Sequence, residues 1–290
     1  MNRFKFCILS MIVTFVLTVG VSYFVVAQCT VPAARQKGEP LKAGPLNDPF
    51  EDPPQAAELN DNRPDAPWIT RWYSLKGPIT NNGGFAASAR KDWIDMGTNG
   101  KITQETLSTE SGLKKTQNTN VNLRNNGGDM GWCIIEINPA DGNNMSTAYG
   151  LVDQSDIDTY AIIVIDSPNK RKATMSPAHD DHAQIWLNGD KVYNNSRWTG
   201  GATIVDFEFE VELKKGTNVL LYRCGESGGS DYFNLHLDNQ TDRVVTIFPE
   251  DAKDAEEFFK EVGGTLAVEP RNKLSTTWAN IKRLKLRSGD

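Results

Sequence analysis

Histidine and cysteine are scarce. The 290 residues hold three histidines and four cysteines; no two cysteines form a Cys-x-x-Cys pair, and every histidine falls at 179 or later. That spacing excludes the usual zinc modules and dithiol redox motifs. It also leaves a trypsin-like protease without its early base. Excess positive charge is missing too: 31 Lys and Arg stand against 37 Asp and Glu, a net charge of −6, which gives no electrostatic footprint for nucleic acid. No internal repeat is visible.

What is present begins with a leader. Arg3 and Lys5 precede an apolar run from Phe6 to Val26, and Val25-Val26-Ala27 offers a small-residue cleavage site, the layout of an export signal. A retained anchor is the second reading, because the run is long enough to span a bilayer. A third makes Cys29 lipid-modified, since Val26-Ala27-Gln28-Cys29 resembles a lipobox, with Gln28 standing where a small residue belongs. All three place the rest outside the cytoplasm, secreted or held at the cell surface or in the periplasm, where disulfides persist. Cys133 and Cys224 lie in or beside expected strands and are the expected bridge, with Cys29 left over or modified; buried free thiols are the alternative.

Residues 28–66 are rich in Pro, Ala and acids and read as a disordered linker. From 67 to 248 short strands alternate with Gly, Asn and Asp turns. Tyr160–Ile165 is continuously apolar, as in a strand covered on both faces. Val205-Asp-Phe207-Glu-Phe209-Glu-Val211-Glu-Leu213 alternates strictly, so one face enters a core and the other meets water. Asn188-Gly189 supplies a tight hairpin turn, and a stretch from 249 to 290 has helical spacing at Ala252, Ala255, Phe258 and Phe259, with a further short helix expected at 275–284. The expected fold is all-β, an antiparallel β-sandwich with a short helical C-terminal appendage.

The order of motifs resembles the galactose-binding-like jelly roll found as an accessory module in secreted bacterial carbohydrate-active proteins. The residues that carry the resemblance are Trp72, Gly77-Pro78, Ala148-Tyr149, Ser167-Pro168, Asp180-Asp181, Trp186-Leu187-Asn188-Gly189 and the turn Leu213-Lys214-x-Gly216-x-Asn218. The Asp-Asp and hairpin portion is also similar to the protective-antigen-type sugar-binding sandwich. Pro-Ala-His179 precedes Asp180 where relatives carry a small residue. The resemblance implies fold more directly than function.

Four groups of residues bear on chemistry. Asp180 and Asp181 have the oxygens calcium takes, and in similar sandwiches such a pair helps hold calcium at the sugar site; the competing reading is a turn cap. His179 and His182 read as exposed loop histidines rather than metal ligands. Gly225-Glu-Ser227-Gly228-Gly229 matches Gly-x-Ser-x-Gly, but a nucleophile elbow opens a helix and here an aromatic strand follows. Loop residues Tyr193, Asn194, Asn195, Arg197 and Trp198, with Asp231 and Tyr232 from the last loop, combine aromatic faces with amides and charges, the mixture that sugar recognition needs. Trp72, Trp132 and Trp186 read as core. The expected role is a non-catalytic exported binding module for carbohydrate, touching the membrane only through its N-terminal segment. A structural or protein-interaction module of the cell envelope is the alternative, and a serine or metal-dependent hydrolase the third reading.

Overall fold

The computed structural model describes Cys29 and residues 57–266. The leader and the helix expected at 275–284 lie outside them. The chain order is β1 (Ala57–Asn62), β2 (Arg71–Leu75), β3 (Ile79–Thr80), then four short helices α1 (Phe85–Ser88), α2 (Trp93–Thr98), α3 (Gln104–Leu107) and α4 (Glu110–Lys115). Next come β4 (Val121–Asn122), β5 (Asp129–Met130), β6 (Trp132–Glu136) and α5 (Asn144–Thr147). The long strands follow: β7 (Ile157–Ser167), β8 (Arg171–His179), β9 (His182–Leu187), β10 (Asp190–Asn195), β11 (Ile204–Leu213), β12 (Gly216–Gly225) and β13 (Phe233–Leu237). After them stand α6 (Asn239–Asp242), β14 (Thr246–Phe248) and α7 (Ala255–Val262).

The strands form an antiparallel β-sandwich. One sheet has the order β1-β11-β8-β13; the larger runs β10-β9-β12-β7-β2-β6, with β3 and β14 also paired to β7. β11 shows why the sequence builds this. Val205, Phe207, Phe209, Val211 and Leu213 are buried, while the acids between them are half-buried or exposed. Each inward side chain contributes about 1.5–3 kcal/mol by leaving water. Phe207, Phe209, Val211 and Leu213 meet Trp72, Ile163, Ile185 and Tyr222 of the larger sheet in the core between the layers.

The larger sheet is covered on its other face as well. Tyr73, Ile162, Val164, Trp186 and Leu221 pack there against Trp93, Ile94, Leu107 and Leu113 of the inserted helices and against Phe258 and Val262 of α7. That double coverage is why Tyr160–Ile165 is apolar without alternation. The Asn188-Gly189 turn has the positive φ angles of 55° and 101° that a tight hairpin requires.

A buried ion pair pins the inserted helices. Arg223 on β12 meets Asp158 on β7 at 2.6 Å with both side chains fully buried. Arg223 also donates to the backbone oxygens of Ser88 (2.7 Å) and Lys91 (2.8 Å), and Trp93 donates its indole N–H to Asp158 at 2.9 Å. Asn81 and Ser88 complete the carboxylate's partners, each at 3.0 Å.

Three expectations are corrected. Residues 57–66 fall in the stretch read as linker, yet β1 pairs with β11, and Trp68 just beyond is buried against Ala178, Val205 and Tyr232. An edge strand needs only a neighbour's backbone, so its polar composition was no bar. The disulfide joins Cys29 to Cys133, 104 positions apart with Cα atoms 5.9 Å from each other, and Cys224 is a buried free thiol. Cys224 sits on β12 and Cys133 on β6, three strand spacings away, roughly 14 Å, too far to bridge. A sulfur held in a disulfide also carries no lipid. The third correction concerns 81–147, read as strands and loops, which holds five helices of four to six residues.

Candidate loop-end site

At one end of the sandwich four connections meet: the β8–β9 turn at Asp180 and Asp181, residues 196–203 between β10 and β11, residues 226–232 between β12 and β13, and the β6–β7 connection. Backbone bonds lock them together. Asp180 donates to the Tyr232 carbonyl and Asp181 to that of Gly225, both at 3.0 Å; Thr199 donates to His179 and Asp231 to Gly142, both at 2.9 Å. The Asp180–Asp181 peptide is cis.

Both histidines of the turn are buried, not exposed. His179 Nε2 lies 2.8 Å from the Tyr193 hydroxyl, and Nδ1 lies 3.2 Å from the Asp181 carbonyl. A carbonyl only accepts, so Nδ1 carries the proton and Nε2 accepts from Tyr193. Asn195 in turn donates to the Tyr193 oxygen at 3.1 Å. Burial pushes the His179 ring down to about 4 and His182 well below its usual value. His182 stacks on Phe85, ring centres 5.4 Å apart. Gly225, opposite His182 in register, has no side chain for a physical reason: a Cβ would come within 2.8 Å of both Asp158 Oδ1 and His182 Nδ1.

The turn also gathers acids. Burial, then the charge of Asp181 and a hydrogen bond with it, push Asp180 up to about 7. Asp231 is pushed up to about 7 by burial, against the Ser146 hydroxyl that donates to its Oδ2. Glu226 is fully buried and neither oxygen has a hydrogen-bond partner of normal geometry; burial and then Asp181 and Asp231 push it up to about 8. Asp231 Oδ1 is likewise without a partner. Unpaired buried carboxylates are costly, and holding a proton removes much of that cost.

Oxygen donors of this kind suit calcium chemically. Asp181 already accepts the Ser227 N–H through Oδ2 at 2.9 Å. Among the described residues no three His, Cys, Asp or Glu side chains are placed to hold one ion together. Calcium at Asp180 and Asp181 would therefore draw the rest of its six to eight oxygens from backbone carbonyls and water.

The structure divides the seven expected ligand-binding residues. Tyr193, Asn195, Asp231 and Tyr232 are buried. Their polar atoms serve the loops: Tyr232 donates its hydroxyl to the Thr199 carbonyl at 2.7 Å, and Asn195 accepts the Arg197 N–H at 2.9 Å. Asn194 is half-buried and accepts from Gln184 at 3.2 Å. Arg197 and Trp198 remain exposed. Arg197 lies over the Phe207 ring at 5.1 Å. Trp198 is 63% exposed, the one aromatic among the large apolar side chains left open in the described residues. Its loop is nevertheless fixed directly after the ring, where Thr199 is bonded to His179 and Gly200 to Asp206. Trp72, Trp132 and Trp186 are buried core, as read from sequence.

Ser227 accepts the Phe85 N–H at 3.0 Å and follows strand β12 rather than opening a helix. Glu226 and Arg223 went unnoticed in the sequence. The signal for Glu226 was its place between two glycines in a loop otherwise free of large side chains; that for Arg223 was a lone cation ending an apolar strand.

No protein-family model matches the chain, and no curated protein does. Five solved chains match. One is an anti-sigma factor domain-containing protein from Clostridium clariflavum, 13% identical with a TM-score of 0.29, covering 38% of this chain. The match spans 35% of that protein, about a third of its length. A family 35 carbohydrate binding module from Clostridium thermocellum is 16% identical, with a TM-score of 0.21, over 40% of this chain and 78% of that one. A GH31 alpha-xylosidase from Xanthomonas citri is 10% identical, with a TM-score of 0.22, over 68% of this chain and 17% of that one. At these scores the likenesses add nothing to the architecture read from the strands.

Proposed function

We propose that the chain is an exported, non-catalytic binding module that takes carbohydrate at the loop end, with the Trp198 ring as its platform. The observation that carries this reading is a large aromatic face open to water on a loop whose backbone is pinned at the two residues directly after it, Thr199 and Gly200. A rigid exposed ring costs little order to engage, and it offers an apolar surface to the C–H face of a sugar. Arg197 and the half-buried Asn194 stand beside it to meet hydroxyls. Tyr193, Asn195, Asp231 and Tyr232 support the loops from behind.

Calcium belongs to the same proposal. Asp180 and Asp181 would hold it, and what supports the ion is the oxygen chemistry of the pair, with backbone carbonyls and water supplying the rest. Export and attachment through the N-terminal segment rest on the leader sequence; the Cys29–Cys133 disulfide accords with an oxidising compartment.

Affinity electrophoresis in gels containing soluble polysaccharides tests the proposal. Retardation that drops about tenfold or more in Trp198→Ala, a loss of about 1.4 kcal/mol, supports it. Binding unchanged in that variant, or no retardation by any polysaccharide, overturns it in favour of a protein-interaction module.

A further inference from the structure

The smaller sheet turns one face to the core and the other outward, and the outward face is not flat. The segment 62–67 between β1 and β2 rises over it and encloses a cleft of about 540 Å³. That volume falls within the range of small-molecule sites, about 300–1,000 Å³. Three strands supply its floor in one row. His236 on β13 is opposite Ser176 on β8, and the Ser176 hydroxyl donates to Glu208 Oε1 on β11 at 3.1 Å. Arg63 closes the row, donating to the same oxygen at 2.7 Å. Pro64 and Pro67 line the other side.

His236 is the unusual member. It is 4% exposed and stands edge-on to Trp68, ring centres 4.7 Å apart. Its Nδ1 lies 2.9 Å from the Leu237 carbonyl, so Nδ1 donates and Nε2 is left as a bare acceptor. Nε2 has no partner and is shielded from water at the cleft floor. A buried acceptor left unmade costs about 1–3 kcal/mol, and the fold spends nothing to satisfy this one. Glu208 adds more accepting capacity, because both of its bonds fall on Oε1, leaving the lone pairs of Oε2. The one cation of the row, Arg63, is already divided between Glu208 and Asp61, the latter at 3.0 Å.

The geometry points to a second binding site in this cleft, one that takes a neutral, hydroxyl-bearing ligand, a sugar residue of an uncharged glycan, through Glu208 Oε2, with His236 Nε2 reached once the overlying 62–67 segment shifts off it. Acceptors outnumber free donors, so the ligand must donate. Surrounding acids repel a uronate or phosphate, which excludes an anionic sugar. The proline wall meets the C–H face while the strand row meets the hydroxyls, and the indole of Trp68 backs the imidazole so that it does not swing away. The ligand class rests on the carbohydrate reading above, but the site is a different one, on the sheet face rather than the loop end.

The test is histidine side-chain NMR on the ¹⁵N-histidine protein. Three histidines give a simple spectrum, with His236 assigned from His236→Gln. Neutral mannan, xylan, galactan and glucan oligosaccharides are added in turn at millimolar concentration, with oligogalacturonate as the acidic probe. The expected result is that at least one neutral sugar shifts the His236 Nε2 signal, leaves His179 and His182 in place, and does so equally in Trp198→Ala. Oligogalacturonate shifts nothing. Glu208→Gln and Ser176→Ala weaken that response about tenfold without unfolding the sheet, as loss of one hydrogen bond to a charged group allows. A sugar that binds through Trp198 while His236 stays still overturns the cleft and leaves the loop-end reading standing. A His236 response that is lost in Trp198→Ala, or an equal response to oligogalacturonate, also overturns it.

Discussion

The Tyr193 hydroxyl donates to His179 Nε2 at 2.8 Å, completing an imidazole whose Nδ1 proton is fixed by the Asp181 carbonyl. A chain of bonds thus runs from a tyrosine on β10 to the acidic turn between β8 and β9. Tyr193→Phe leaves His179 Nε2 buried and unpaired and deprives Asn195 of its acceptor. The expected loss is about 1–3 kcal/mol in denaturant unfolding, with polysaccharide binding at Trp198 kept within about twofold. Unchanged stability would show that the chain of bonds does not hold the turn.

Stability should fall as pH rises from about 5 to 8. Asp180, Glu226 and Asp231 have folded values raised to about 7, 8 and 7. Such groups favour the fold fully below their unfolded values near 4, and that advantage is lost as pH rises through 7 and 8. His179, lowered to about 4, and His182, also lowered, act in the opposite sense. Their contribution is present above about 6.5 and is lost as pH falls toward 4. The two histidines offset only part of what the three acids lose, so melting temperature should fall as pH rises from about 5 to 8. The alkaline decline should shrink in Glu226→Gln. A flat profile from pH 6 to 9 counts against proton-holding acids.

Calcium is separable from protons in the same experiment. At pH 8, where the acids are giving up their protons, millimolar calcium should raise the melting temperature, and a chelator should reverse the effect. The gain should vanish in Asp180→Asn with Asp181→Asn. An equal gain in that double variant would place the ion elsewhere.

The Cys29–Cys133 bridge closes a loop of about a hundred residues, for which the chain-entropy view assigns roughly 4–5 kcal/mol and experience about 2–5. Cys133→Ser should lower unfolding free energy by that order, whereas Cys224→Ser, at a thiol that bonds only weakly to two carbonyls, should cost less. Mass mapping of the oxidised protein that finds Cys133 joined to Cys224 would refute the pairing.

Asp158→Ala should be among the most destabilising single changes, about 3–5 kcal/mol, because it leaves Arg223 charged and buried. Hydrogen exchange should quicken first across α1 and the turn leading into α2, whose Ser88 and Lys91 carbonyls Arg223 holds. Uniform exchange across the sandwich would argue against that pinning role.

Much of the sandwich was legible in the sequence. The strict alternation of β11, the unbroken apolar run of β7 and the Asn188-Gly189 hairpin each carry a period or a turn chemistry that few other structures share. The helices at 81–147 were not, because four to six residues are too few for a 3.6-residue period to show. Their caps were there to be found: Asp92, Thr103 and Thr109 each accept a backbone N–H three residues on. At the loop end, sequence named loops that the fold brings together but could not tell a side chain facing outward from one turned in. Tyr193 and Trp198 looked equivalent, and packing against Phe209 at 4.9 Å buries the first while nothing covers the second. Glu208 and His236 passed unremarked because the row they form exists only across strands.

The Cys29 bond has a mechanical meaning. Residues 30–56 run between two fixed points, the sulfur on β6 and the start of β1 at the edge of the opposite sheet. A pull applied upstream of Cys29 would thus enter the protein through a covalent bond into β6 and bypass that whole segment. Load would arrive at a strand bonded along its length to β2, and β1 would be spared from peeling.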